Sequence, residues 1–410
     1  MPRVRGDICT EMGHARTVQG EGAMKNAWFG ICLFLLLESP ASLSAQSPPI
    51  LPPSASRDGL IRATIAERFG RNENGNLNDR DSFQAELGRG PGSLTVLPDD
   101  GRALYFRAID AAKNEIRIEI CVLEDPQILE HLLAALQRGV RVRVIVDRGR
   151  YDALISEQAN LARYLTSAGG QLHLSNPMFP RSFPKIILVD SRLLIYGSAC
   201  LDETTFLQYR DLATTNTDQQ ILREIQRLFE NDWAYSAAVG EQAPPFNPTP
   251  PVSRSDLIVS PVNGAERLVR FYQGAKRTLD VYTELLGNLT LESELAAAVK
   301  RGVRVRLIAP EQVNGGTTDI QQLQYDSLAA LAGAGVDVHV SGPDETAQLP
   351  YMHARAAVVD GKIAYLGSIS LSPDSITFNR EMGLILRQRV LVRKLEAQFQ
   401  SDFDLRTTEF

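Results

Sequence analysis

From residue 96 onward two hydrophobic periods alternate along the chain. Stretches such as ALYFRAIDAAKN and QILEHLLAALQ place apolar residues three and four apart, the spacing of helices with one buried face. Between them, EIRIEICVLED and RGVRVRVIVD are β-branched and apolar in short runs, the pattern of strands. The same order returns as RLVRFYQGAKR, TLDVYTELLG, LESELAAAVK and RGVRVRLIAP. The six residues RGVRVR recur identically at 138–143 and 301–306. In both, the glycine ends a helix and a strand starts at once. Strands alternating with helices predict βαβ units and a mixed or parallel sheet covered by helices. The expected fold is therefore α/β, with two pseudo-symmetric halves, each a mixed sheet flanked by helices. The alternating arginines of RGVRVR read as scaffold at the edge of a sheet rather than as a nucleic-acid patch.

The flanking composition suggests boundaries. The expected repeats are 96–239 and 257–405, joined by a Pro-rich connector at 240–256. Residues 46–95 are polar, with stretches such as GRNENGNLND, and read as a lead-in. Farther upstream, Lys25 precedes an apolar run and then ESPASLSAQSPP, the order of a secretory signal peptide over 24–45. Met24 is a natural start for it, so residues 1–23 read as an over-extended start. Export to the periplasm or the outside is expected. With 44% hydrophobic and 22% charged residues the chain can bury a large core, and its formal net charge of −6 disfavours bulk binding of nucleic acid. Of the four cysteines, Cys9 and Cys32 fall in the segment that export removes. Cys121 and Cys200 remain; they could pair in an oxidising compartment, but buried free thiols are the expectation.

Two stretches carry candidate chemistry. Residues 352–370 read MHARAAVVDGKIAYLGSIS, and 170 positions earlier the chain reads SFPKIILVDSRLLIYGSAC. Both fit H-x-K/R, four residues, Asp, six residues, Gly-Ser, except that Phe183 stands where the second copy has His353. His353 and Arg355, two apart, leave a strand on one face. A hairpin turning at Asp360 brings Gly367 and Ser368 back beside them, and Asn379-Arg380-Glu381 follows. An imidazole, a guanidinium, hydroxyls and a carboxylate suit attack on a phosphodiester: the cation neutralises the non-bridging oxygens, and the histidine is nucleophile or general acid. No metal-ligand constellation is visible, and no cofactor is expected.

This duplicated motif resembles that of the phospholipase D superfamily, H-x-K-x4-D-x6-G-S-x-N twice per active site, and the resemblance covers roughly residues 92–405. It implies a composite site in which one histidine attacks phosphorus, the other protonates the leaving group, and water or an alcohol releases the product. Residue by residue, it gives His353, Arg355, Lys185 and Glu381 catalytic places, Glu381 as the acid holding the histidine. It gives Ser198, Ser368 and Ser370 phosphate contacts, with Ser370 and Cys200 standing where asparagine is usual. Asp190, Asp360, Gly197, Gly367 and Asp211 match the motif frame. For the two serines after glycine a turn-forming role weighs nearly equally, and for Asp190 and Asp360 the turn role is favoured. Asp211 and Glu381 could instead pair with Arg210 and Arg380. Of the remaining histidines, His14 lies in the leader, His173 and His339 hold matching structural places, and His131 is expected to be exposed on a helix.

The expected function is an exported phosphodiesterase hydrolysing a phospholipid headgroup, with transient contact to a membrane surface. A phosphate-ligand binding protein of the same fold and a secreted nuclease stay open as alternatives, and nothing in the sequence reads out an oligomeric state.

Overall fold

A computed structural model describes residues 93–153, 163–341, 349–405 and 410, all within the unit Arg57–Phe410. The expected leader (1–23), signal peptide (24–45) and nearly all of the polar lead-in (46–95) lie outside the described residues, as do His14, Cys9 and Cys32.

Repeat one supplies strands β1 (Thr95–Leu97), β2 (Glu115–Ile120), β3 (Arg141–Val146), β4 (Gln171–Leu174), β5 (Ile186–Val189), β6 (Leu193–Gly197), β7 (Tyr209–Asn216) and β8 (Ala237–Ala238). Repeat two supplies β9 (Leu257–Ser260), β10 (Thr278–Tyr282), β11 (Arg304–Pro310), β12 (Asp337–Ser341), β13 (Tyr351–Met352), β14 (Ala356–Val359), β15 (Ile363–Gly367) and β16 (Glu381–Leu386). The first sheet runs β1-β7-β6-β5-β2-β3-β4-β8, and the second runs β9-β16-β15-β14-β10-β11-β12. Seven strands correspond in order, β1-β7-β6-β5-β2-β3-β4 with β9-β16-β15-β14-β10-β11-β12, parallel across β2-β3-β4 and β10-β11-β12 and antiparallel elsewhere along these paths; β8 has no counterpart. The expected duplication of mixed α/β halves is what forms. Gly139 and Gly302 end their helices at φ +86° and +84°, a conformation that side chains with a Cβ resist.

The halves share one core. Ile186, Leu188 and Tyr196 of the first sheet, Leu257, Ala356 and Leu366 of the second, and the helices Gln219–Tyr235 and Arg389–Leu405 bury against one another. Two further cores lie on the outer faces, one per repeat. The Pro-rich connector is tied along the first of those helices: Arg227 donates to the Pro251 carbonyl at 2.7 Å, and Ser253 binds Glu224 at 2.9 Å.

The RGVRVR arginines do serve as scaffold, but not at an edge. β3 and β11 are interior strands. Arg143 is buried against Glu115 (2.8 Å) and Glu230 (2.5 Å), its guanidinium over Phe229 and Trp233. Arg306 does the same with Asp280 (2.8 Å) beneath Phe399 and Phe403. A planar, paired cation stacked on aromatic rings tolerates burial that a lone charge does not.

His173 and His339 occupy equivalent strands. His173 stacks on Trp233 and reaches Ser236 Oγ at 2.8 Å; His339 stacks on Phe403 and reaches its carbonyl at 3.0 Å. Both are packing residues. His131 is not free on the surface as expected: it stacks on Phe106 and binds Asp110 at 2.8 Å, half-buried. Cys121 and Cys200 are not free thiols either; they are joined as a disulfide, because the end of β2 and the segment after β6 bring their Cα atoms to 6.0 Å.

Candidate active site between the repeats

The two motif strands are exchanged. β13, from repeat two, pairs in parallel with β7 of repeat one, Tyr351 opposite Tyr209 and Met352 opposite Arg210. Reciprocally, Ser182 of repeat one bridges Arg380 of repeat two. The first motif position of each repeat is thereby tied to the other repeat: His353 N donates to Arg210 O at 3.1 Å, and Phe183 N donates to Arg380 O at 2.7 Å. Buried ion pairs lock the exchange, Arg210 with Asp402 at 3.1 Å and Arg380 with Asp232 at 2.8 Å. Arg210 and Arg380 therefore do not pair with the acids beside them.

This crossing fixes which carboxylate meets the histidine. His353 Nδ1 lies 2.7 Å from Asp211 Oδ2, so Asp211, not Glu381, holds His353. Ser198 Oγ donates to the other Asp211 oxygen at 2.5 Å and accepts from Leu212 N at 3.0 Å. Lys185 Nζ donates to the Ser198 carbonyl at 2.5 Å. On the second side, Arg355 donates to the His353 carbonyl at 2.5 Å, to Ser370 Oγ at 3.1 Å and to Glu284. Glu284 lies 3.7 Å from His353 Nε2 and accepts from the Tyr351 hydroxyl at 3.1 Å. Lys185, Asp211, His353 and Arg355 are all buried.

The motif frame is built by backbone. Asp190 accepts the amides of Lys113, Asn114 and Glu115 at 2.8–2.9 Å, and Asp360 accepts those of Lys276, Arg277 and Thr278 at 2.7–3.3 Å. Each thus ties a hairpin turn to the start of a central strand. Gly197 and Gly367 permit close strand approach: a Cβ on Gly197 would lie 2.0 Å from Leu212 O, and one on Gly367 would lie 2.4 Å from Met382 O. The serines that follow are correspondingly committed. Ser368 Oγ exchanges hydrogen bonds with Met382 O and N at 3.2 and 3.1 Å. In the structure Ser198 positions Asp211, Ser368 positions β16, and Ser370 orients Arg355.

Charge is balanced tightly. Burial pushes the Asp211 carboxyl up to about 7, against the pull of Lys185 and Arg355. Burial, then Arg355, pulls Lys185 down to about 7, against Asp211, Glu284 and Glu381. Burial and the cations Arg355, Lys185 and Arg150 hold His353 well below the usual imidazole range. Burial opposes the charge on Arg355, but Glu284, Asp211 and Glu381 outweigh it and raise its pKa. A neutral imidazole with its proton fixed on Nδ1 by an ionised Asp211 leaves the Nε2 lone pair available for attack. Arg355 and Lys185 are buried cations that both act on this imidazole, and their charge suits a phosphate.

The first repeat's half of the site is different. Phe183 packs against the first core and carries no titratable group. Glu381, the counterpart of Asp211, is buried with Oε1 accepting from Asn379 at 3.0 Å and Oε2 without a hydrogen-bond partner among the described residues. Burial pushes its carboxyl up to about 7, against Asn379, Arg355, Ser375 and Lys185. Glu284 was not legible in the sequence. The register of β10 on β11 and of β2 on β3 makes Cys121 its counterpart, and Cys200 the counterpart of Ser370. Where repeat two has a Glu–Arg–Ser network, repeat one has a disulfide.

Residues 105–233 and 268–403 match the family model described as "Cardiolipin synthase, PLD-like domain". The chain is 21% identical over 321 residues to a probable cardiolipin synthase, YwiE, of Bacillus subtilis, covering 72% of this chain and 63% of that one. It is 24% identical over 363 residues to cardiolipin synthase A of Pseudomonas entomophila, covering 80% of this chain and 73% of that one. This chain thus spans less than two thirds of the first of these relatives. Among solved structures, the phosphatidylserine synthase of Haemophilus influenzae superposes with a TM-score of 0.61 at 14% identity, covering 81% of this chain and 92% of that one, a likeness of fold.

Proposed function

The chain belongs to the phospholipase D superfamily, and from that premise we propose that it cleaves or transfers a phospholipid phosphodiester through a covalent intermediate on His353. The observation that carries this reading is the hydrogen bond between His353 and Asp211, made across the repeats by buried side chains, with the buried cations Lys185 and Arg355 close enough to act on the imidazole. His353 Nε2 attacks phosphorus as the bond to the leaving alcohol breaks, giving a phosphohistidine. Arg355 and Lys185 neutralise the non-bridging oxygens. Water then releases a hydrolysis product, or an acceptor alcohol takes the phosphatidyl group. Relatives named cardiolipin synthases support a phospholipid substrate and favour the alcohol as acceptor. Phe183 stands where the family's second imidazole belongs, so the leaving group draws its proton from solvent, and turnover is slower by ~10²–10⁴-fold than with a positioned general acid.

Incubating the protein with vesicles of ³²P-labelled phosphatidylglycerol and quenching in alkali tests this. Acid-labile, alkali-stable label on the wild-type protein, absent from His353→Ala, is expected; equal label on both removes the enzyme reading. Phe183 and the disulfide in half one favour a second reading, a phosphate-ligand binding protein. Binding of phosphatidylglycerol without any label or product would establish that reading instead.

Export is part of the same proposal. The charged, apolar and small-residue order of 24–45 supports it, and so does the Cys121–Cys200 disulfide, a bond typical of oxidising compartments. N-terminal sequencing of the mature protein decides: a start near residue 46 is expected, and retention of residue 24 onward overturns export by cleavage.

A further inference from the structure

Glu284 stands against the atom that the proposed reaction uses. It lies two residues past the end of β10 and is buried. Its Oε2 lies 3.7 Å from His353 Nε2 and also accepts from Arg355 Nη2. The other nitrogens of that guanidinium donate elsewhere, Nε to Ser370 Oγ at 3.1 Å and Nη1 to the His353 carbonyl at 2.5 Å. The Nη2 edge is thus the one that shares a neighbour with Nε2. A phosphate oxygen bound to that edge, with phosphorus in reach of Nε2, needs the place that Glu284 Oε2 holds. Carboxylate and phosphate offer a guanidinium the same kind of oxygen.

Oε2 can turn aside, but the charge stays where it is. The Glu284 carbonyl accepts from Gln324 Nε2 at 3.1 Å, and Leu286 N donates to Gln324 Oε1 at 3.0 Å, so the backbone here is fixed to the helix Thr318–Gly333. Glu284 Oε1 accepts from the Tyr351 hydroxyl at 3.1 Å. That hydroxyl accepts from Asn314 N at 2.9 Å, and Asn314 Nδ2 donates to the Tyr209 hydroxyl at 2.7 Å. The Tyr209 ring lies 5.1 Å from the His353 ring. Asn314 is exposed, the two tyrosines are half-buried, and Glu284 and His353 are buried. A chain of bonds therefore runs from the surface, through a tyrosine of each repeat, to the carboxylate and the imidazole.

We infer that Glu284 is a specificity-determining residue: a fixed negative charge at the phosphate's place, which admits the monoanion of a phosphodiester and rejects the dianion of a phosphomonoester. The inference rests on the reading of His353 as a nucleophile toward a phosphodiester. A diester carries one negative charge, and a monoester carries about 1.5 to 2 near neutral pH. Repulsion from a carboxylate at contact distance, away from water, grows with that charge. Discrimination then comes from an element set against the wrong ligand rather than from a better grip on the right one. Hydrolysis of a phospholipid headgroup leaves a monoester, which this charge expels, whereas transfer to an alcohol leaves a diester. Repeat one has Cys121 at the equivalent place, so the filter stands only in the half that keeps its histidine.

Equilibrium titration of the intact protein with dimethyl phosphate and methyl phosphate, at about pH 7 where the monoester is mostly dianionic, tests this without relying on turnover. The probes differ by one methyl group and about one charge, so groups that act on both alike cancel in the ratio of their affinities. The wild-type protein is expected to bind dimethyl phosphate at least about threefold more tightly than methyl phosphate. Glu284→Gln keeps the size and removes the charge. It should tighten methyl phosphate by about tenfold or more relative to dimethyl phosphate, so that the preference reverses. Glu284→Asp keeps the charge and should keep the wild-type preference, which a role in packing alone does not predict. A wild-type protein that prefers methyl phosphate, a measurement that needs no variant, overturns the filter. So does a ratio that Glu284→Gln leaves unchanged. In both cases the phosphate site itself stands. Failure of the wild-type protein to bind either anion overturns the reading of a phosphate site and the filter together.

Discussion

His353 and Asp211 are 142 residues apart in the chain, and their side chains meet at 2.7 Å. The contact exists because β13 leaves its own repeat to pair with β7. The acid that sets the tautomer of His353 is therefore supplied by the half of the molecule that has no motif histidine. Asp211→Asn keeps the shape and removes the carboxylate, so cleavage should fall by ~10²–10⁴-fold. Glu381→Gln, which changes the acid of the repeat that carries His353, should cost less than about tenfold, since it makes no contact with the imidazole. Single-turnover rates of phospholipid cleavage compare the two. A reversed ranking would mean that the carboxylate partner is chosen within the repeat.

Phe183 and Glu381 stand in the same relation as His353 and Asp211. Phe183 N bonds to Arg380 O as His353 N bonds to Arg210 O, and Glu381 follows Arg380 as Asp211 follows Arg210. Glu381 Oε2 has no hydrogen-bond partner among the described residues, and an imidazole at 183 would supply one. Phe183→His should therefore raise kcat by ~10²-fold or more by restoring a general acid, and Glu381→Gln in that background should abolish most of the gain. An unchanged rate in Phe183→His would show that solvent already serves the leaving group as well as an imidazole.

Much of the frame was legible because duplication writes each structural need twice. The RGVRVR pair and the 170-residue offset between motifs led to matching strand orders, to the turn roles of Asp190 and Asp360, and to structural places for His173 and His339. What was not legible depends on contacts with no local signature. A two-residue strand, Tyr351–Met352, decides that Asp211 rather than Glu381 meets His353. Glu284 was hidden because its counterpart is Cys121, so comparing the repeats offers no acid at that place. The alternation in RGVRVR reads as an edge, since nothing nearby in sequence announces the aromatic rings of helices some 90 residues on that bury Arg143 and Arg306. Ser198 and Ser368 fit a phosphate contact by motif, and the bonds their hydroxyls make across the close backbone approach that Gly197 and Gly367 permit have no local signature.

The pH dependence follows from two buried groups displaced in opposite directions. Asp211 is pushed up to about 7 by burial, so its carboxylate, and with it the Nδ1–H tautomer of His353, is lost as pH falls below that value. Lys185 is pulled down to about 7 by burial and Arg355, so its charge is lost as pH rises above it. The pair titrates as a unit. A narrow bell of kcat/KM against pH, centred near 7, is expected. Lys185→Arg keeps its charge at every working pH and copies Arg355, its counterpart in repeat two, so the alkaline limb should move up by more than about one unit, and the acid limb should move down because a permanent cation favours the Asp211 carboxylate. An alkaline limb that does not move would assign it to a group other than Lys185.

The Cys121–Cys200 bond closes a loop of 79 residues that contains β3, β4, β5 and β6. Constraining that length of unfolded chain is worth about 4 kcal/mol in the chain-entropy account. Both cysteines are buried, 2% and 8% exposed, so folded protein should resist mild reductant, and the bond should yield only as the chain opens. Cys121→Ala/Cys200→Ala should lower the midpoint of thermal unfolding by several degrees, and wild-type protein unfolded in excess dithiothreitol should melt at about the same reduced temperature. Because Lys185, Ser198 and Asp211 are held by backbone and ion pairs rather than by this bond, the double variant should retain most of its phospholipid-cleaving activity at temperatures well below its midpoint. A melting point insensitive to reductant and to the double substitution would mean that the two cysteines are free thiols in solution.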